Sequence, residues 1–367
     1  MQTRRDFLKV AGIAGAGVAG GIAGGYTVRG LVDKPPANPV SGDLAIYNWS
    51  YYMFPPLLDE FRRQTGVSRI QYDEFESEDE VWAALEQSPS GYDLALLVGA
   101  TVTAAIGNGY ILPLDHRNIP NLQLLDPAFQ DLQHDPDQTY SVPYLWGTTG
   151  IGVNSGVVSG TVASWADMFD PIFLQANFRK VTMIDDMRET IGAALLHLGL
   201  DVNSAEPQDL VDAKQALLDQ KPYLAKYAST TEYIAALSAG DWAACHAWNG
   251  DIVQAMSLNS AIGYLVPSEG AIMWVDNFVI PAGARNKRAA EAFIDFMLMP
   301  AHEMLNTEYV GYANPNRIGT EWLPEDIRTD PVIYPDPITM SKLVTLRELD
   351  AATFQTYDDA WRDILAA

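Results

Sequence analysis

The sequence predicts an α/β protein built as two domains. Three observations predict it. Strand-like and helix-like segments alternate along the chain, and the alternation occurs in two separate series. The 367 residues, 48% hydrophobic and 19% charged, supply apolar surface for two cores of ordinary size. In the first series residues 44–47, Leu-Ala-Ile-Tyr, read as a buried strand, and residues 55–64 as a helix opened by proline and stopped before Gly66. A second strand around residues 68–72 leads to Ser77-Glu78-Asp79-Glu80, a capping-box pattern opening a helix through Leu85, and residues 92–98 supply a third strand. The acidic run from Asp73 to Glu80 reads as a solvated helix start rather than a binding site. Alternation of this kind implies mostly parallel sheets, whose ligands sit beyond the carboxyl ends of strands. Trp49, Ser50 and Tyr52 emerge there, so the first loop is a candidate site.

The second series has a strand at residues 180–184, a helix at 186–198 and a strand at 242–248. After it, Ala290, Phe293, Ile294, Met297 and Leu298 recur at i, i+3, i+4, i+7 and i+8 between Asn286 and Pro300, the stripe of a helix that faces a core.

The formal charge of −24 repels phosphate backbones and anionic lipid, so no nucleic-acid partner is expected. The same field draws cations toward a cleft, although an acidic balance more often reflects a solvated surface. Cys245 is the only cysteine, which rules out an intrachain disulfide, a CxxC pair, a multi-cysteine zinc cage and a lipidated N-terminal cysteine. His116, His134, His197, His246 and His302 lack HExxH or HxH spacing, so no metal site is expected. There is no GxSxG and no P-loop, and the adjacent Cys245 and His246 side chains do not naturally face each other. No catalytic residue and no cofactor are therefore expected.

At the N-terminus Thr3-Arg4-Arg5-Asp6-Phe7-Leu8-Lys9 precedes a Gly/Ala-rich apolar stretch and a proline-containing linker, the order of an export signal. The paired arginines followed by Phe-Leu-Lys resemble a twin-arginine translocation signal. Gly15, Gly17 and Gly20 satisfy GxGxxG, but no strand precedes them and a proline-rich linker follows, so the dinucleotide reading fails on context. Removing residues 1–42 takes five basic and two acidic residues from totals of 23 and 47, which leaves 18 against 45 and a body charge of −27.

Six segments in fixed order carry a family resemblance. They are Tyr47-Asn48-Trp49-Ser50 with Tyr52, the run from Val142-Pro143-Tyr144-Leu145-Trp146-Gly147 to Asn154, Ser164-Trp165-Ala166-Asp167, Trp248-Asn249-Gly250, Met273-Trp274-Val275-Asp276, and Gly311-Tyr312-Ala313-Asn314-Pro315-Asn316. On these the chain resembles the periplasmic spermidine/putrescine-binding proteins of ABC importers. The resemblance implies a two-lobed periplasmic-binding-protein fold, each lobe a mostly parallel sheet flanked by helices, with strands that cross between lobes. The first crossing is expected near residues 147–154. It implies lobe 1 at residues 43–147 with 275–313, and lobe 2 at residues 148–274 with 314–367, after the signal and linker at 1–42.

The same resemblance implies a polyamine held in an aromatic box of Trp49, Tyr52, Trp248, Trp274 and Tyr312, with Asp186, Glu189, Asp251 and Asp276 as ammonium partners and Ser50 and Ser229 as hydroxyl contacts. The chemistry suits such a ligand, because ring faces attract ammonium groups and cover methylenes, while buried cations require carboxylates. Asp186 and Asp251 also read as helix-opening residues, and both serines as loop or cap residues. Three departures from the family stand out. Tyr51 occupies a position that is acidic in many members, Leu97-Val98-Gly99-Ala100 replaces a hydroxyl-and-aromatic segment, and Arg347 stands where some relatives have glutamine; an arginine facing the cleft would disfavour a third ammonium. The implied partners are a polyamine, the permease subunits of an ABC importer and the twin-arginine machinery, for a monomer in the periplasm or another extracytoplasmic space, anchored if the signal is retained. The rival readings are a receptor for another organic cation or osmolyte, and an exported enzyme.

Overall fold

The computed structural model describes residues 40–75, 77–87 and 91–367. The twin-arginine segment and its GxGxxG glycines lie outside these residues; of the expected signal and linker only Val40, Ser41 and Gly42 are described.

Ten strands are present among the described residues: β1 (Ser41–Trp49), β2 (Gly66–Phe75), β3 (Leu94–Val98), β4 (Ser141–Asn154), β5 (Val181–Ile184), β6 (Lys226–Ala228), β7 (Ala244–Trp248), β8 (Ile262–Leu265), β9 (Ala271–Val279) and β10 (Leu343–Val344). Local sequence accounts for their connections. The helix Pro56–Gln64 starts on proline, buries Leu57 and Phe61 one turn apart, and carries Arg62 and Arg63 in its last turn, where the helix dipole favours cations. The helix Glu78–Glu86 starts behind Ser77, whose hydroxyl accepts from Glu80 N at 3.3 Å. The expected helix at 186–198 spans Met187–His197, with Asp186 capping it through Glu189 N at 2.9 Å. The apolar stripe after Asn286 lies on the helix Lys287–Met297 and its capping residue Leu298, and is buried throughout.

The strands form one continuous sheet in the order β2-β1-β3-β9-β4-β7-β5-β6, with β8 paired to β4 and β10 to β9. β2, β1 and β3 run parallel, as do β7, β5 and β6. β9 and β4 lie between these triplets, antiparallel to each other; β3 pairs with β9 and β7 with β4, both antiparallel. The senses of the two triplets are therefore opposed. Because β3 lies beside residues 276–279 of β9 and β7 beside residues 149–153 of β4, the carboxyl ends of both triplets point at the middle of the β4–β9 pair. Two strand-end sites of the kind common to parallel sheets thus face one another across a single region.

Packing follows the same division. One apolar cluster joins residues of β1–β3, the first half of β4, the end of β9 and the helix Lys287–Met297. Two others gather around β5, β6 and β7, one of them including Tyr357, Trp361 and Ile364 from the C-terminal helix Ala351–Ala366. A small fourth cluster, with Trp146, Val275 and Ala313, sits where β4 and β9 pass from one side to the other.

Alternate residues of β7 point to opposite sides. Cys245 is fully buried, its thiol pushed far above the usual range by burial, whereas His246 packs edge-on against Trp165 at 5.1 Å and is held neutral by burial, with its pKa near 3. No group of His, Cys, Asp and Glu suited to hold a metal ion occurs among the described residues.

Glu303, in the helix Pro300–Val310, is fully buried and neither carboxylate oxygen has a hydrogen-bond partner. Burial raises its pKa well above the ordinary 4.5. An acid whose folded pKa is raised costs stability as pH climbs past its unfolded value. The variant Glu303→Gln should therefore melt close to the parent at pH 4 and several degrees above it at pH 8, at about 2–4 °C per kcal/mol relieved; melting curves at both values check this, and equal curves at pH 8 contradict it.

Candidate ligand site

The aromatic residues converge where the strand ends meet. Trp49 ends β1 and stacks obliquely on Phe75 at 4.4 Å. The chain then turns through Tyr51, in the left-handed region at φ 59°, whose N–H donates to Glu74 at 3.0 Å. This turn delivers Tyr52 to the interior, where Tyr144 Oη donates to its carbonyl at 2.6 Å, while Asn306 holds both Tyr144 Oη and Phe54 N at 2.9 Å. Tyr52 meets Tyr312 edge to face at 5.5 Å, and Tyr312 meets Trp274 in the same way at 5.1 Å.

Two glycines make room for these rings. A Cβ at Gly147 would overlap Trp274, its partner across the β4–β9 ladder, and one at Gly250 would overlap the ring of Tyr312. Gly250→Ala should displace Tyr312 and lower stability by about 1–3 kcal/mol, the usual cost of overpacking. It should weaken ligand binding as well, which a thermal melt and a titration on the same sample would separate. Trp49 Nε1, Tyr52 Oη and Trp274 Nε1 are buried without a hydrogen-bond partner in the protein, an arrangement costly in a finished core and suited to a surface that completes itself around a ligand.

The acidic residues reach the same region from β9 and from the helix that follows β5. Asp276 lies on β9 between Leu145 of β4 and Val98 of β3, and is 7% exposed. Burial pushes its pKa up to about 7, against a smaller opposing effect of the Tyr52 hydroxyl, which stands near it without a hydrogen bond of normal geometry. Glu189 is pushed up to about 8 by burial and by Asp186, although Thr149, Trp248 and Arg188 favour its charged form. Its Oε2 has no hydrogen-bond partner. Asp186 is also raised by burial, partly offset by backbone N–H groups of Glu189 and Arg188. No Lys or Arg forms a salt bridge with Asp186, Glu189 or Asp276 among the described residues. Buried carboxylates arranged in this way stabilise an incoming cation.

Asp251 plays a different part. It accepts from Tyr312 Oη at 3.3 Å and closely from Tyr233 Oη, so it orients the Tyr312 ring. Trp248 ends β7 beside Thr149 and close to Glu189. Ser50 lies in the first loop, its N–H donating to Phe75 O at 3.1 Å. Ser229 is exposed and donates to Glu232 at 3.0 Å as the cap of the helix Thr230–Ala239, the alternative role its position suggested.

Two expectations need correction. Arg347 does not aim a free charge at the cleft, because Asp201 pairs with its guanidinium at 2.9 Å on the surface. Nor is the acidic run wholly a solvated helix start, since Oε2 of Glu78 is enclosed next to Asp276. No sequence signal separates Glu78 from exposed Asp79 and Glu80; at the start of its helix Glu78 alone of the three turns inward, where it accepts from Val98 N.

Comparison with known proteins identifies the family. Residues 57–325 match the family described as bacterial extracellular solute-binding protein. The putrescine-binding periplasmic protein SpuD of Pseudomonas aeruginosa is 32% identical over 339 residues, covering 88% of this chain and 91% of the relative. The spermidine/putrescine-binding periplasmic protein of Salmonella typhimurium is 33% identical over 301 residues, covering 82% and 85%. The crystal structure of the spermidine/putrescine transporter substrate-binding protein PotD from Streptococcus pneumoniae superposes with a TM-score of 0.80 at 31% identity, covering 89% of this chain and 98% of that one. With more than half of its length matched to the family and 32–33% of the aligned residues identical in such relatives, the chain belongs to the bacterial extracellular solute-binding proteins.

Proposed function

We propose that this protein captures a polyamine, putrescine or spermidine, between two closing lobes and delivers it to an ABC importer. The observation that carries the reading is a set of carboxylates, the buried Glu189 and Asp276 with the partly buried Asp186, which form no salt bridge with a Lys or Arg among the described residues and lie at the strand ends where the Tyr52, Tyr312 and Trp274 rings meet. A diamine or triamine supplies ammonium groups to the acids and methylenes to the ring faces. Lobe 1 is residues 43–147 with 275–313, and lobe 2 is residues 148–274 with 314–367. The ligand bridges them and shifts an open–closed equilibrium, and the permease subunits recognise the closed form. No covalent step is involved, and the protein is not an enzyme. It acts as a monomer in the periplasm or an equivalent space, exported through the twin-arginine pathway.

Calorimetric titration of the purified protein with putrescine, spermidine, spermine and glycine betaine tests this. One polyamine should bind with 1:1 stoichiometry while glycine betaine does not; binding of glycine betaine alone would move the assignment to an osmolyte receptor.

A further inference from the structure

Glu78 opens the helix that follows β2, yet its side chain turns back toward the sheet. Its Oε1 accepts from Val98 N at 3.3 Å, and Val98 pairs with Asp276 across the β3–β9 ladder. Its Oε2 is enclosed without a hydrogen bond of normal geometry, although the nearby Thr101 hydroxyl favours the charged carboxylate, and no Lys or Arg among the described residues pairs with it. Asp276 and Asp186 both lie close enough to act on it electrostatically, one from β9 and the other from the cap of the helix Met187–His197. A carboxylate that only closed the amino end of the helix Gly99–Asn108 would gain from the helix dipole and would not need two further acids facing it.

We infer that Glu78 is a ligand carboxylate which, with Asp276 and Asp186, receives one ammonium group, so that the site selects amines carrying at least two positive charges. This rests on the polyamine reading above. Burial, followed by the charge of Asp276, pushes its pKa up to about 8, in keeping with an acid that lacks its counter-ion.

The variant Glu78→Gln keeps an acceptor for Val98 N and removes the charge. Calorimetry with putrescine, and competition with butylamine, which has the same carbon chain and one ammonium, should show putrescine affinity falling about tenfold or more while butylamine changes far less. Should that variant fold poorly, Glu78→Asp keeps the charge but withdraws it by one methylene, and the same narrowing of the putrescine-to-butylamine ratio is expected. Unchanged putrescine affinity in folded Glu78→Gln, or an equal loss for both amines, overturns the role of Glu78 and leaves the polyamine reading standing. A parent protein that binds no polyamine overturns both.

Discussion

Asp276→Asn should weaken polyamine binding by about a hundredfold, within the ~2–5 kcal/mol that follows loss of one partner of a buried charge pair. The substitution is isosteric, and the ladder contacts of β9 with Leu145 and Val98 are main-chain features that it leaves intact. Its effect on the free protein should have the opposite sign. Burial pushes Asp276 up to about 7, so at pH 8 the empty site holds an ionised carboxylate that the fold disfavours, and asparagine removes that cost. The variant should melt higher than the parent at pH 8 while binding ligand far more weakly. Titration and melting on one preparation separate these effects; unchanged affinity would remove Asp276 from the site, and a lower melting temperature would mean that the substitution had damaged packing.

The second large effect is on pH. Glu189 and Glu78 are pushed up to about 8 and Asp276 to about 7, in each case mainly by burial. All three therefore hold protons to a considerable degree at neutral pH when no cation is present. An ammonium favours the ionised form, so binding must release protons, and affinity must rise with pH through the window below about 8, by linkage about tenfold per pH unit for each proton released. The free protein obeys the reverse rule. Its raised acids are protonated in the fold and ionised in the unfolded chain, so its stability falls as pH rises from the ordinary carboxylate range toward about 8. The ligand-induced rise in melting temperature should thus be larger at pH 8 than at pH 6. Binding heats measured in two buffers of different ionisation enthalpy count the protons directly; identical heats would show that these carboxylates do not meet the ligand.

Much of the architecture was legible because it rests on local rules. The proline start of the helix Pro56–Gln64, Ser77 as a cap and the apolar stripe on the helix Lys287–Met297 each depend on neighbours within a few residues. The joining of both series into one sheet was not, since it depends on β9 returning between β3 and β4 from nearly 180 residues away. The rings of Tyr52, Tyr312 and Trp274 could be named from their motifs and do meet in space, whereas the motifs gave no hint that Asp251 positions Tyr312. Glu78 was misjudged because charge runs carry no directional information: three consecutive acids look alike in sequence, and only the geometry of the helix start decides which one turns inward.

The position of Cys245 on β7 has a practical consequence. The only thiol in the chain is enclosed and held protonated, so it should be inert to maleimides as long as the protein stays folded. A cysteine introduced at the rim of the cleft would then be the sole site of labelling, with no prior removal of native sulfur. The unaltered protein is in this sense already the starting material for a fluorescent reporter of its own ligand.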